Sequence, residues 1–449
     1  MSEIRPKERD AVIQSLRAGV VPRVGQYLIQ VGRAKEVEAL LKDIDRISDG
    51  GSTIRFIIGE YGSGKTFFLN LIRAIALEKR LITAHADLSP DKRLQSSGGQ
   101  ARLLYSELMR NISTRSKPDG GAMQNIVERF ITEAMRESQS TGIKVESIIL
   151  RRLEKIYEMV GGYDFAQVIS AYWKGHDTCN EQLKSDSIRW LRAEFSIKTE
   201  AKLALGVRSI IDDVSVYDHL KLMSVFVRLA GYSGMLICLD ELVNLYKLAN
   251  SQSRNANYEQ ILRMVNDSLQ GTAAGLGIIM GGTPDFLMDT RRGLYSYPAL
   301  QSRLAENTFA TKGNLDFTGP VLRLSNLSQE DFFILITKIR HVYASGNSEA
   351  YLLPDEGLKA FMEYSFKKVG EIYFRTPRNT IKAFVNLLAV LEQNTDLKWQ
   401  EILGNVEIDQ DASPDLEPVP INVENIMQPG VEEDKPREDK GDSLGTFKL

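Results

Sequence analysis

Eight residues near the start of the chain, Gly59-Glu60-Tyr61-Gly62-Ser63-Gly64-Lys65-Thr66, have the types and spacing that hold a row of phosphates. Glycines let backbone N–H groups close around anionic oxygens, and a helix opening at Lys65 adds the positive end of its dipole. Lys65 supplies a point charge for the β- and γ-phosphates, and the Thr66 hydroxyl supplies a ligand for Mg²⁺. Phe67 follows directly and is grouped with the loop as a nucleotide contact. A second set, Met235-Leu236-Ile237-Cys238-Leu239-Asp240-Glu241, is an apolar run that ends in paired carboxylates. Asp240 is placed to hold Mg²⁺ through water, and Glu241 to polarise an attacking water. A lone strand ending in Asp-Glu is commonly just a solvated strand end, but with the loop upstream the pair predicts binding of ATP and Mg²⁺ and hydrolysis of ATP.

These residues need a strand before the loop, a helix after it and a strand ahead of the carboxylates. The sequence predicts a strand over Thr53 to Ile58, a helix from Lys65 carrying Phe67, Phe68, Leu71, Ile72 and Ile75, and a second strand over Leu81 to Ala86. Further strands are expected at Met235 to Leu239, Leu276 to Met280 and Val321 to Leu324, which makes five for one parallel sheet. Val37, Leu40, Leu41, Ile44 and Ile47 fall at helical spacing ahead of the first strand, and Ser48-Asp49-Gly50-Gly51 breaks that helix. The expected division is an N-terminal segment over 1–30, a nucleotide-binding core over 31–86 and 232–326, a helical insertion over 87–231, and a helical lid over 327–405. An acidic tail over 406–449 is rich in Pro, Glu and Asp and poor in aromatic residues, and is expected to be disordered. The fold class is therefore α/β, a P-loop NTPase with a five-stranded parallel sheet, a long helical insertion and a C-terminal helical lid.

Composition narrows the remaining classes. At 449 residues, 43% hydrophobic and 26% charged, the chain has material for a large core, and its apolar runs are too short for a bilayer span. Met1 to Arg9 is charged and lacks the apolar stretch of a secretory signal, which predicts a cytoplasmic protein with no membrane partner. Only Cys179 and Cys238 are present, and His85, His176, His219 and His341 are scattered, so neither a disulfide framework nor a protein-held transition metal is expected. The net charge of −3 gives no global footprint for nucleic acid, although a local basic face can sit inside a neutral total.

With these residues placed, the chain resembles the AAA+ and related STAND-type ATPases from about Val31 to Phe384. Val31-Gly32-Arg33-Ala34-Lys35-Glu36 is similar to the V-G-R-x-x-E opening of that family, which makes Val31 and Arg33 contacts of the adenine pocket. The resemblance implies that Thr283, in Met280-Gly281-Gly282-Thr283-Pro284, senses the γ-phosphate, although these residues also make a plain turn. It implies an arginine finger at Arg303, in Ser302-Arg303-Leu304, reaching a neighbouring subunit of a homo-oligomer, with Arg291 and Arg292 as rivals. Arg378, in Arg375-Thr376-Pro377-Arg378-Asn379-Thr380, resembles the second sensor at the start of a lid helix; the plainer reading is a surface arginine. The order of motifs is also similar to that of origin-recognition ATPases, from which the long insertion departs. The opening V-G-R, the G-E-Y-G-S-G-K-T-F loop and the C-L-D-E strand most resemble the ATP-binding proteins of BREX-type phage-defence systems, which implies an antiviral role with partners that include a helicase.

Two classes of function follow. One is a DNA-associated motor or loader that oligomerises and hydrolyses ATP. The other is a nucleotide-controlled switch or scaffold that recruits a partner protein. Arg110, Arg115, Arg129, Arg136, Arg151, Arg152, Lys155, Arg189 and Arg192 in the insertion could present a basic face to double-stranded DNA, but they are interleaved with acids, the usual pattern of a solvated face. A metabolic P-loop kinase is a third reading, and the Asp240-Glu241 pair argues against it.

Overall fold

Thr53–Ile58 consists largely of β-branched and aromatic side chains, and each of its residues is buried. That is how a strand reads when helices cover both faces of a parallel sheet. A computed structural model describes residues 4–309, 316–369 and 377–403 of the protein. In it, β1 (Thr53–Ile58), β2 (Ile82–Asp87), β3 (Met235–Asp240), β4 (Leu276–Gly282) and β5 (Val321–Arg323) form one sheet in the order β2-β3-β4-β1-β5. Every pairing is parallel. The five expected strands are all present: β1 has its expected ends, β2 starts and stops one residue later, β3 runs on to Asp240 and β4 to Gly282, and β5 stops one residue short.

One polar side chain inside β1 needs an explanation. Arg55 is buried, and Asp43 on the Ala34–Ser48 helix receives its guanidinium, with 3.0 Å between Nη2 and Oδ1. Arg55 also donates to the carbonyl of Phe317, so a paired and hydrogen-bonded charge pins the chain that leads into β5.

Between β2 and β3 the chain is helical, including Gln100–Arg110, Met123–Thr141, Gly162–Asp177, Glu181–Leu191 and Val216–Leu229. Phe130, Phe165, Trp190 and Phe226 from these helices share one core with Ile82, Ala84 and Ile237 of the sheet. The loop after Gln100–Arg110 also extends the sheet edge: Ser113 and Thr83 exchange backbone hydrogen bonds of 2.7 and 3.1 Å.

A second core lies beyond β5. The Gln329–Tyr343 helix opens on a capping box between Ser328 and Asp331, and with Asp355–Val369 and Pro377–Gln393 it buries Phe332, Ile336, Phe361, Phe384 and Leu388. The N-terminal Pro6–Arg17 helix belongs to this core, because Val12 and Leu16 are buried in it together with Ile4 and Ile29. Arg9 fastens the contact by donating to the Tyr343 carbonyl at 2.8 Å. Among the described residues no helix is long and apolar enough to cross a membrane. The expected acidic tail, and Arg375 and Thr376 of the second-sensor motif, lie outside the described residues.

Candidate functional site

The phosphate loop joins β1 to the Lys65–Glu78 helix. Gly62 and Gly64 turn it at φ values of 74° and 83°, left-handed conformations that side chains with a Cβ seldom adopt. The Lys65 ammonium folds back over the loop, and its Nζ donates to the carbonyls of Gly59 and Glu60, each at 2.9 Å. The helix then presents its first N–H groups and the Thr66 hydroxyl at the C-terminal ends of the strands, where ligands of open parallel sheets bind.

Asp240 ends β3, and β4 separates that strand from β1. Its carboxylate nevertheless receives the Thr66 hydroxyl, with 2.7 Å between Oγ1 and Oδ2, while its Oδ1 accepts the Glu241 N–H at 2.9 Å. The intervening strand permits this crossing only because Gly281 stands there: a Cβ at that position would lie 2.4 Å from Asp240 Oδ1. Glu241 itself adopts φ 58°, an uncommon conformation for a residue with a side chain, and such strain gathers at functional sites.

One cavity gathers most of the expected residues. Tyr61, Gly62, Ser63, Gly64, Lys65, Thr66 and Phe67 of the loop line it, with Val31, Arg33, Asp240, Glu241, Thr283 and Arg378. Gly59 and Glu60 sit just behind, as the acceptors of Lys65. Arg33 donates to the Ser63 carbonyl and lies 5.9 Å from the centre of the Phe68 ring; burial pulls its guanidinium below the usual arginine range. Thr283 lines the cavity, and its hydroxyl accepts from Phe286 N at 3.4 Å to cap a short helix. Arg378 opens the Pro377–Gln393 helix and approaches the Tyr61 hydroxyl at 3.4 Å.

Arg303 is not brought to this cavity. It lies on the Pro298–Leu304 helix, donating to Asn266 Oδ1 at 2.6 Å and to the Ala299 carbonyl at 2.9 Å. Its rival Arg292 is occupied with the Tyr246 carbonyl at 3.1 Å.

The sequence reading missed the roof. Leu16, Gly19, Val20, Val21, Pro22 and Ile29 of the N-terminal segment line the same cavity, and the aliphatic stem of Arg378 packs on Gly19. The i, i+4 spacing of Val12 and Leu16 was the available signal. Also missed was Asp87, which pairs with Asp240 in the β2–β3 register. Burial raises its carboxyl above the usual range, and the charges of Asp240 and Glu107 push the same way.

The donor set fits Mg²⁺, which takes hard oxygen ligands, uses few carboxylates and keeps several waters. Thr66 and Asp240 offer a hydroxyl and a carboxylate within one hydrogen bond, and among the described residues no cluster of three or more His, Cys, Asp or Glu side chains could form an all-protein cage.

The family description "BREX system ATP-binding protein BrxC/D" matches residues 4–407. The chain belongs to this family. The match begins well ahead of the V-G-R opening, so the family pattern takes in the N-terminal segment that roofs the cavity as well as the two phosphate motifs. No curated protein matches the chain.

Proposed function

We propose that this BrxC/D-family chain is a Mg²⁺-dependent ATPase that serves a BREX defence system as a DNA-associated motor or loader. The observation that carries the reading is the Thr66–Asp240 contact, made inside a cavity that also holds Glu241 and Arg378. When ATP binds, Lys65 exchanges two neutral carbonyls for phosphate oxygens, and Asp240 keeps the Thr66 hydroxyl turned toward the metal position. Mg²⁺ there would neutralise charge on the β- and γ-phosphates. Glu241 orients the attacking water, Thr283 and Arg378 contact the γ-phosphate side, and Val31 and Arg33 border the base. Residues 327–405 act as the lid and 87–231 as an insertion that carries partner contacts. Arg303, exposed on its helix, serves a neighbouring subunit of a homo-oligomer.

A second reading is favoured by the roof. The N-terminal segment and the Pro377–Gln393 helix share a core and both line the cavity, so nucleotide could order them together and recruit a protein partner, such as a helicase, without contact to DNA. The deciding experiment is ATP turnover and particle mass, each with and without double-stranded DNA, with Glu241→Gln as control. DNA-stimulated, Glu241-dependent turnover by an oligomer supports the motor or loader; nucleotide binding by a monomer indifferent to DNA supports the switch.

A further inference from the structure

At the opposite end of the sheet from the phosphate loop, where β2 begins, Arg80, Arg115 and Arg129 converge on a cleft of about 440 Å³, with Thr114, Ser116 and Tyr232 in its wall. Three separate pieces of backbone fix the three cations. Arg80 closes the Lys65–Glu78 helix at φ 67°, its N–H bonded to Leu77 and its carbonyl accepting from Ser233. Arg115 stands in a turn closed by paired backbone bonds between Thr114 and Lys117, and that turn is tied to β2 by the Ser113–Thr83 bonds. Arg129 projects from the Met123–Thr141 helix, its guanidinium 4.7 Å from the centre of the Tyr232 ring and its Nη2 3.3 Å from the Gly231 carbonyl.

The charges in this cleft do not balance. Glu78 pairs with Arg115 at 2.9 Å, but both side chains are about two-thirds exposed, so water screens the pair and a competing anion can displace it. Among the described residues neither Arg80 nor Arg129 has an ion-pair partner, and Arg129 Nε is buried without an acceptor. A buried donor left unpaired is costly and calls for an oxygen nearby. Converging guanidinium forks with hydroxyls alongside match the oxygens of a tetrahedral dianion or a phosphodiester better than a single carboxylate.

We propose that this cleft is a second phosphate-binding site, distinct from the ATP cavity, that takes the phosphates of a nucleic-acid backbone or of a small phosphate compound. It stands without the hydrolysis reading, because binding alone measures it.

The test uses the full chain saturated with ADP, so that the first cavity is filled. Binding of labelled duplex DNA is read by fluorescence anisotropy, and binding of inorganic pyrophosphate by calorimetry. One of the two is expected to bind, and the double substitution Arg80→Ala with Arg115→Ala is expected to weaken it at least about tenfold, with ADP affinity unchanged. Glu78→Gln removes the competing carboxylate and should tighten binding, a gain that misfolding cannot imitate. If DNA is the ligand, losing two phosphate contacts should also flatten the slope of log K against log salt by about 2. Which probe responds identifies the source of the phosphate. Binding of neither probe, or equal binding by the double variant, overturns the proposal, as does capture of polyglutamate in place of both.

Discussion

The two ends of the sheet handle charge in opposite ways. At the C-terminal end, three of the ionic groups of the phosphate cavity rest on neighbouring polar atoms: Lys65 on two carbonyls, Arg33 on the Ser63 carbonyl, and Asp240 on a hydroxyl and an N–H. At the other end, three guanidinium groups face one exposed carboxylate. The first arrangement is organised before its ligand arrives and suits chemistry, in which fixed dipoles act on developing charge. The second holds unspent positive potential and suits capture of an anion. The difference teaches that a near-neutral total charge says little about where a chain of this kind will hold phosphate.

The sharpest way to break the comparison is to remove chemistry while leaving binding. Glu241→Gln should lower ATP turnover about 100-fold or more with nucleotide affinity retained, measured as phosphate release beside equilibrium binding; normal turnover would remove Glu241 from its assigned role. Lys65→Ala should weaken ATP binding at least about tenfold, because it removes the cation that rests on the loop carbonyls of Gly59 and Glu60, while phosphate capture at the arginine cleft continues unchanged.

Next in size is the roof. Leu16→Ala empties a buried position between the N-terminal helix and the C-terminal bundle and should cost about 2–3 kcal/mol in denaturant unfolding, with a parallel loss of ATP affinity. Stability lost with affinity intact would show that the roof does not touch nucleotide. Arg378→Ala should reduce turnover by roughly tenfold and affinity less, since one charge-assisted contact is removed; equal loss in both would make Arg378 a binding residue only.

The last effect acts on stability alone, through pH. Burial, with Arg73 and then Arg23 adding repulsion, pushes His85 down to about 4 from its ordinary value near 6.5. The unfolded chain therefore binds more protons between those values, so this stability is fully present above about pH 6.5 and is lost as pH falls toward 4. After discounting for partial exposure the loss is on the order of 2 kcal/mol. His85→Gln should flatten that part of the stability profile; an unchanged slope would assign acid sensitivity elsewhere.

How far the sequence carried depended on whether the partners were local. β1 was legible residue for residue, because a six-residue segment dominated by β-branched and aromatic side chains and bounded by Gly51 and Gly59 has few other uses. The phosphate loop and the Asp240-Glu241 strand end were legible because their chemistry needs fixed short spacings. The membership of Pro6–Arg17 in the C-terminal core was not, since Val12 and Leu16 show a helical stripe without saying what covers it. The arginine cleft was hidden for the same reason: Arg115 and Arg129 looked like ordinary mixed-charge helix and loop residues, and only the fold brings Arg80 to them. Gly281 reads in sequence as part of a turn and in space as the room that Asp240 needs.

The strand order has a consequence for how the protein is made. β1 takes its neighbours from β4 and β5, both encoded far downstream. At ordinary rates of synthesis, the apolar β1 therefore waits on the order of tens of seconds on the ribosome with both hydrogen-bonding edges open. During that wait the helices between β2 and β3 can already collapse on one another, yet no amount of ATP can stabilise the nascent chain, because the walls of its cavity have not been translated. Competence for nucleotide thus waits for the last wall of the cavity, which comes from Pro377, Arg378 and Ile381, and a product stalled before them is left with an exposed strand that chaperones and proteases can read.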